Sequence, residues 1–142
     1  MPLLPARVKH RKQMTRGYRL DHQATRCNHL AFGDFGLQVL ESGKITARQL
    51  EAARVAAGHY LGRVGKVWIR IFPHTPVGKH PAETRMGSGK AEVEYWCSHV
   101  DSGTVIFEFA GITEEMARET LRRQAFKLPL KSRMIKRAAQ VV

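Results

Sequence analysis

Two apolar, strand-like runs, Val67 to Phe72 and Val93 to Val100, are separated by a connection that contains the twelve-residue stretch Lys79 to Lys90 (KHPAETRMGSGK). Connections this long within a domain are uncommon, and they are usually functional or disordered. This one carries two glycines, a proline and four basic groups counting His80, with Glu83 its only acid. It has little means of burying itself, so any fold must build a sheet while leaving this segment outside. Its composition suits close approach to a polyanion.

The flanking segments narrow the fold further. Phe32 to Leu40 (FGDFGLQVL) is apolar but interrupted by Gly33 and Gly36, which suits a strand with a bulge or a close backbone approach. Glu41-Ser42-Gly43-Lys44 reads as a turn. Thr46 follows as a helix N-cap with Gln49 three residues on, a capping box, and Ile45 and Leu50 take the hydrophobic-staple positions. The helix is expected to run to about Leu61, with Leu50, Ala53, Ala57 and Leu61 at the spacing of a buried stripe. Gly62 and Gly65 end it.

Lys66 to Phe72 (KVWIRIF) is β-branched and aromatic, a strand stopped by Pro73. After the long connection, Glu92 to Val100 and Thr104 to Phe109, joined at Asp101-Ser102-Gly103, give a hairpin signal. Thr113 caps a second helix with Glu114 and Glu115 in its first turn and Arg122, Arg123 and Lys127 toward its end, favourable signs for the helix dipole. Ala117, Leu121, Ala125 and Leu128 form its apolar stripe, and Pro129 stops it. The order predicts an α+β fold, a single compact domain with a mixed or antiparallel sheet and two helices. At 142 residues the chain is one domain's length and needs neither disulfide nor metal to hold a core.

Charge decides what kind of partner such a domain meets. The formal net charge is +12, which attracts phosphate, whether of nucleic acid or of anionic lipid. Residues 1–20 contain Arg7, Lys9, Arg11, Lys12, Arg16 and Arg19 with no acid; residues 127–142 contain Lys127, Lys131, Arg133, Lys136 and Arg137, again with none. We therefore divide the single domain of residues 1–142 into a basic N-terminal arm (1–30), a projecting basic loop (79–91), a basic C-terminal tail (129–142) and the body between them. Between Ala91 and Leu121 the balance reverses: Glu92, Glu94, Asp101, Glu108, Glu114, Glu115 and Glu119 face only Arg118. That acidic segment is expected to point to solvent while the rest meets the polyanion.

Two cysteines seventy residues apart give no disulfide framework and suit a reducing compartment. No run reaches the roughly 18 apolar residues of a membrane span, and the start lacks the apolar core of a secretory signal. It is basic like a transit peptide, but two prolines oppose the amphipathic helix such peptides form. A cytosolic or organelle-interior protein is expected.

Other chemistries fare worse. Met86 to Lys90 has the look of a phosphate-binding P-loop, yet its first required glycine falls at Thr84 and the residue after the lysine is Ala91. Cys27 with His29 and Cys97 with His99 form two Cys-x-His pairs, with His22 nearby, but the spacing matches no recognised zinc pattern. No nucleophile with its base and no acid–base pair stands out, and no cofactor is indicated. The competing functions are thus a structural RNA-binding component and a free nucleic-acid-binding enzyme or regulator, and the first is preferred.

Lys44 to Phe72 (KITARQLEAARVAAGHYLGRVGKVWIRIF) and then Arg85 to Trp96 (RMGSGKAEVEYW) resemble the bacterial and organellar large-subunit ribosomal protein sixteen family. PARVKHRKQ, FGDFGL, the hairpin and KLPLKS are similar to it too, so the resemblance covers nearly the whole chain. It implies an α+β fold with a β-hammerhead feature, no enzymatic activity, and a place in the ribosome, cytoplasmic or organellar. It also implies binding to large-subunit rRNA beside the aminoacyl-tRNA site and peptidyl-transferase centre, contact with tRNA and neighbouring ribosomal proteins, and support of late subunit assembly. No membrane partner or homo-oligomer is implied. The loop of residues 79–91 would project toward that centre, with Lys79, Arg85, Met86, Gly87, Ser88, Gly89 and Lys90 nearest tRNA. Some bacterial members carry a hydroxylated arginine at the position of Arg85, which makes it a candidate for that modification. Where the family usually reads RMGKGKG this chain has Ser88 and Ala91, one cation and one glycine fewer.

Arginine offers phosphate a planar fork of donors and lysine a mobile point charge. The candidate rRNA contacts are therefore Arg7, Lys9, Arg11, Lys12, Arg16 and Arg19 in the arm, Arg48, Arg54, Arg63, Lys66 and Arg70 in the body, and Lys79, Arg85 and Lys90 in the loop. Gly87 and Gly89 can expose backbone N–H groups to phosphate or simply let the loop turn. Trp68, Tyr95 and Trp96 are candidates to stack on bases, against the ordinary role of strand aromatics as core.

Overall fold

Helix α1, Ala47–Leu61, begins where its cap dictates. Thr46 Oγ1 accepts from the Gln49 N–H at 3.3 Å, and the Gln49 side chain accepts from the Thr46 N–H at 2.9 Å. Ile45 and Leu50 are both buried in the main core cluster. Ala47, Leu50, Ala53, Ala57 and Leu61 form the buried stripe, and Gly62, in the left-handed region at φ 53°, closes the helix by donating to Gly58. We describe these features from a computed structural model covering residues 4–14 and 22–137.

The strands are β1 (Phe35–Val39), β2 (Gly43–Thr46), β3 (Lys66–Ile69), β4 (Thr75–Gly78), β5 (Val93–Val100), β6 (Val105–Ala110) and β7 (Ser132–Lys136), with α2 (Glu114–Ala125) between the last two. They form two sheets, one ordered β3-β6-β1-β7 and the other β2-β5-β4. Every paired strand is antiparallel, and the parallel contact is an isolated bridge, Gln23 with Ser102. The fold is α+β, a single domain with two helices packed on each other. Leu37, Val39, Leu50, Leu61, Phe107, Phe109 and Leu121 lie at its centre.

Several expectations need correction. Gly43 and Lys44 belong to strand β2, because Lys44 pairs with His99 rather than turning away. The Lys66–Phe72 strand is shorter than its composition suggests, and the chain then makes β4, which the sequence hides behind Pro76. A proline donates nothing to a ladder, but β4 is an edge strand and one of its sides is open. The expected hairpin of β5 and β6 does not form, since the two strands lie in different sheets. At the connection, Gly103 donates to Val39 O and Val39 donates to Thr104 O, both β1 contacts, and so the chain changes sheet. Residues 132–136, expected within a basic tail, are the strand β7, paired with β1 along its full length. Helix α2 ends at Ala125 and buries Thr120 and Gln124 beside Ala117 and Leu121.

The largest correction concerns Glu108. It is expected in a solvent-facing acidic segment, yet it is 0% exposed on the central strand β6. It faces away from Phe107 and Phe109, toward the side of the sheet covered by residues 27–34. There its carboxylate accepts from the N–H groups of Ala31, Phe32 and Gly33 at 2.7–3.2 Å and pairs with Arg70. Gly33 sits so close to β6 that a Cβ would lie 2.5 Å from Phe109 O. The segment before β1 is therefore strapped across the sheet, not free.

Candidate nucleic-acid interface

The long basic segment is the tip of the β4–β5 hairpin. Gly78 pairs with Val93 across a bulge, and the Lys79 N–H donates to Glu92 O at 3.2 Å, closing the neck. Beyond that neck every residue from Lys79 to Lys90 is exposed. Gly87, Ser88 and Gly89 have φ of 114°, 61° and 84°, three successive residues in conformations that glycine adopts freely and L-residues rarely. The two glycines suit the turn, and Ser88 takes the strained position between them. His80, Thr84, Arg85, Met86, Gly87 and Gly89 line one concavity of the loop.

The N-terminal arm reaches this neck. Lys12 Nζ donates to Lys90 O at 3.1 Å and lies 2.6 Å from the Glu92 carboxylate. The hydrogen bond from Lys12, joined by its charge, holds the Glu92 carboxyl below its ordinary range. Lys12, Gln13, His80 and Lys90 line a common cleft with Pro76 and Gly78. Arm and loop, joined by residues 78 positions apart, thus form one basic surface. Lys79 inclines to Glu94 at 3.8 Å.

The other predicted contacts have varied surroundings. Arg7, Lys9 and Arg11 are exposed on the arm; Arg16 and Arg19 lie outside the described residues. Arg48 is exposed on α1, while Arg54 makes two hydrogen bonds to Glu51 at 2.7 and 2.9 Å. Arg63 and Lys66 are exposed around the α1–β3 turn. Arg70 differs: its side chain is 14% exposed, paired with Glu108, and its NH2 group lies 3.8 Å from Cys27 Sγ. It is bound into the fold by the strap.

Of the proposed stacking residues, Trp96 is buried core, whereas Trp68 is half-buried beneath an exposed ring, Phe32. Sequence reasoning reads Phe32 as the start of the Phe32–Leu40 strand and so passes over it as a surface ring, whereas the strand begins only at Phe35. It also places Arg133 and Arg137 only within a tail. The structure sets them in a cleft with Asn28, His29 and Gln38, where Arg133 donates to Gln38 at 2.9 Å and Arg137 to Ala31 O at 2.9 Å. Arg133 at two-residue spacing from Lys131, in a run that ends Lys136-Arg137, is the signal that could have found them.

Among the described residues no group of three or more His, Cys, Asp or Glu side chains is arranged to hold a metal. Burial pushes the Cys97 thiol up and the His99 imidazole down, both toward the neutral form. Cys27 meets a guanidinium, which disfavours a second cation. Among those residues, too, no helix is long and apolar enough to cross a membrane.

A family model described as ribosomal protein L16p/L10e matches residues 5–135, a span that includes most of the arm, the loop and every strand but the last residue of β7. The chain belongs to this family, whose members are structural proteins of the large ribosomal subunit.

Proposed function

We propose that this protein binds large-subunit rRNA beside the aminoacyl-tRNA site and the peptidyl-transferase centre, contacts tRNA through the loop of residues 79–91, and supports late subunit assembly. The observation that carries this reading is the Lys12 clasp on Lys90 and Glu92, which makes the arm and the loop a continuous cationic edge. A polyanion following the arm is led to the loop. Arg85, Lys90 and the freely exposed Met86 are then the loop residues offered to it.

In this reading Arg7, Lys9, Arg11, Lys12, Arg16 and Arg19 contact rRNA from the arm, with Arg48, Arg54, Arg63 and Lys66 on the body. Such contacts fix position, while RNA shape and 2′-hydroxyls supply selectivity. Arg70 contributes by shaping the strap. Lys79 and Lys90 flank the loop, and Gly87 and Gly89 allow its backbone to approach phosphate.

The test places a benzophenone amino acid at position 86 in assembled ribosomes. Irradiation is expected to yield adducts with large-subunit rRNA and, when the aminoacyl site is filled, with tRNA. Adducts confined to protein would overturn the placement of the loop.

A further inference from the structure

The strap that Glu108 holds down ends in an exposed aromatic ring. Phe32 is 59% exposed. It stacks on Trp68 with centroids 6.0 Å apart and planes 22° from parallel, and the Arg70 guanidinium carbon lies 5.1 Å from its centre. Lys66, Trp68, Arg70 and Phe72 alternate along β3 and its continuation, so one face carries cation, aromatic, cation, aromatic. Phe72 is itself 40% exposed.

The ring is fixed from below. Phe32 N–H donates to the Glu108 carboxylate at 2.7 Å, and that same carboxylate pairs with Arg70. One buried acid therefore sets both the backbone that carries the ring and the guanidinium beside it. The core does not need Phe32, whose outer side is open, so burial does not explain a platform this closely held.

We propose that the Phe32–Trp68 pair is a stacking platform for an unpaired base of the RNA. The inference rests on the rRNA-binding reading above and adds a site to it. Charge favours a nucleotide over an apolar protein surface: Arg26, just before the strap, and Arg63 and Lys66, around β3, are exposed, against Asp34 as the exposed acid of the strap. Stacking is tolerant of base identity, and a ring held in place loses little freedom when a base arrives.

The test measures binding of the full chain to large-subunit particles lacking it, across a salt series, for wild type, Phe32→Leu and Phe32→Tyr. Stacking is worth about 1–3 kcal/mol per base, so Leu is expected to weaken binding roughly 5- to 150-fold with the salt slope unchanged. Tyr is expected to bind like wild type. Leu binding as tightly as wild type would overturn the platform, as would a weakening accompanied by a shallower slope, which marks a phosphate contact instead. Failure of the wild type to bind at all would overturn the rRNA reading itself. A second measurement needs no variant: short-wave ultraviolet irradiation of intact ribosomes is expected to leave a nucleotide adduct on the peptide containing Phe32 or Trp68. Absence of that adduct counts against the platform even if the Leu variant is unstable.

Discussion

Glu108 shows how much one buried charge organises. Burial alone would raise its carboxyl, but the N–H groups of Gly33, Phe32 and Ala31 and the Arg70 guanidinium outweigh that and hold it below the ordinary range. Removing it leaves three donors and a nearly buried guanidinium without their partner. Breaking a buried pair from one side costs about 3–5 kcal/mol, so Glu108→Ala is expected to lose that much in urea unfolding. A loss below about 1 kcal/mol would show that water replaces the carboxylate. The lowered folded value also fixes a pH dependence. Its stabilisation is present above the unfolded value, about 4.3, and disappears as pH falls through the folded value, where the native carboxylate takes up its proton. Glu108→Gln should therefore be less stable than wild type at pH 7, with the difference narrowing in strong acid. Unfolding curves at pH 7 and at about pH 3 make the comparison.

At the scale of elements, α1 is the piece whose local signals agree most fully. Thr46→Ala removes the acceptor for the Gln49 N–H and is expected to cost about 0.5–2 kcal/mol, read as a lower thermal midpoint; an unchanged midpoint would mean that packing alone sets the helix start. The β4–β5 loop is the opposite case, because little in the fold depends on it. Arg85→Ala should leave stability within about 0.5 kcal/mol of wild type, as exposed substitutions do, while slowing peptide synthesis by reconstituted ribosomes. A lowered midpoint with normal synthesis would reverse that assignment. The same contrast explains what is legible from sequence. Capping residues, apolar spacing and glycines are local, so both helices, the close approach at Gly33 and the exposed loop can be read there. Strand pairing depends on distant partners: nothing near Pro76 announces an edge strand, and nothing near Asp101 says that Val39 will capture the next residues. The basic candidates are legible as a class, but Arg70 is not separable from the others without Glu108, thirty-eight residues away, on the neighbouring strand.

The whole molecule is polarised in charge, and the fold sharpens what the sequence distributes. Of the seven acids between Ala91 and Leu121, Glu108 is withdrawn into the interior, Glu92 is clasped by Lys12, and Glu114 and Glu119 are paired with cations on α2 or β7. Each pairing offsets an acid that would otherwise lower the positive potential of the molecule. By contrast Arg7, Lys9 and Arg11 are exposed, as are Arg85 and Lys90 in the loop. In the proposed function the arm is thus a larger source of phosphate contacts than its length suggests. Deleting residues 1–19 removes Arg7, Lys9, Arg11, Lys12, Arg16 and Arg19, and it opens the clasp that joins arm to loop. Every phosphate left without its cation makes the log–log dependence of affinity on salt shallower by roughly 0.7–0.9. Affinity of the truncated chain for large-subunit particles lacking this protein should fall most at low salt, and the two titration curves should converge as salt rises. Parallel curves would mean that the arm touches no phosphate and acts only through the Lys12 clasp, in which case the loop and the body alone hold the RNA.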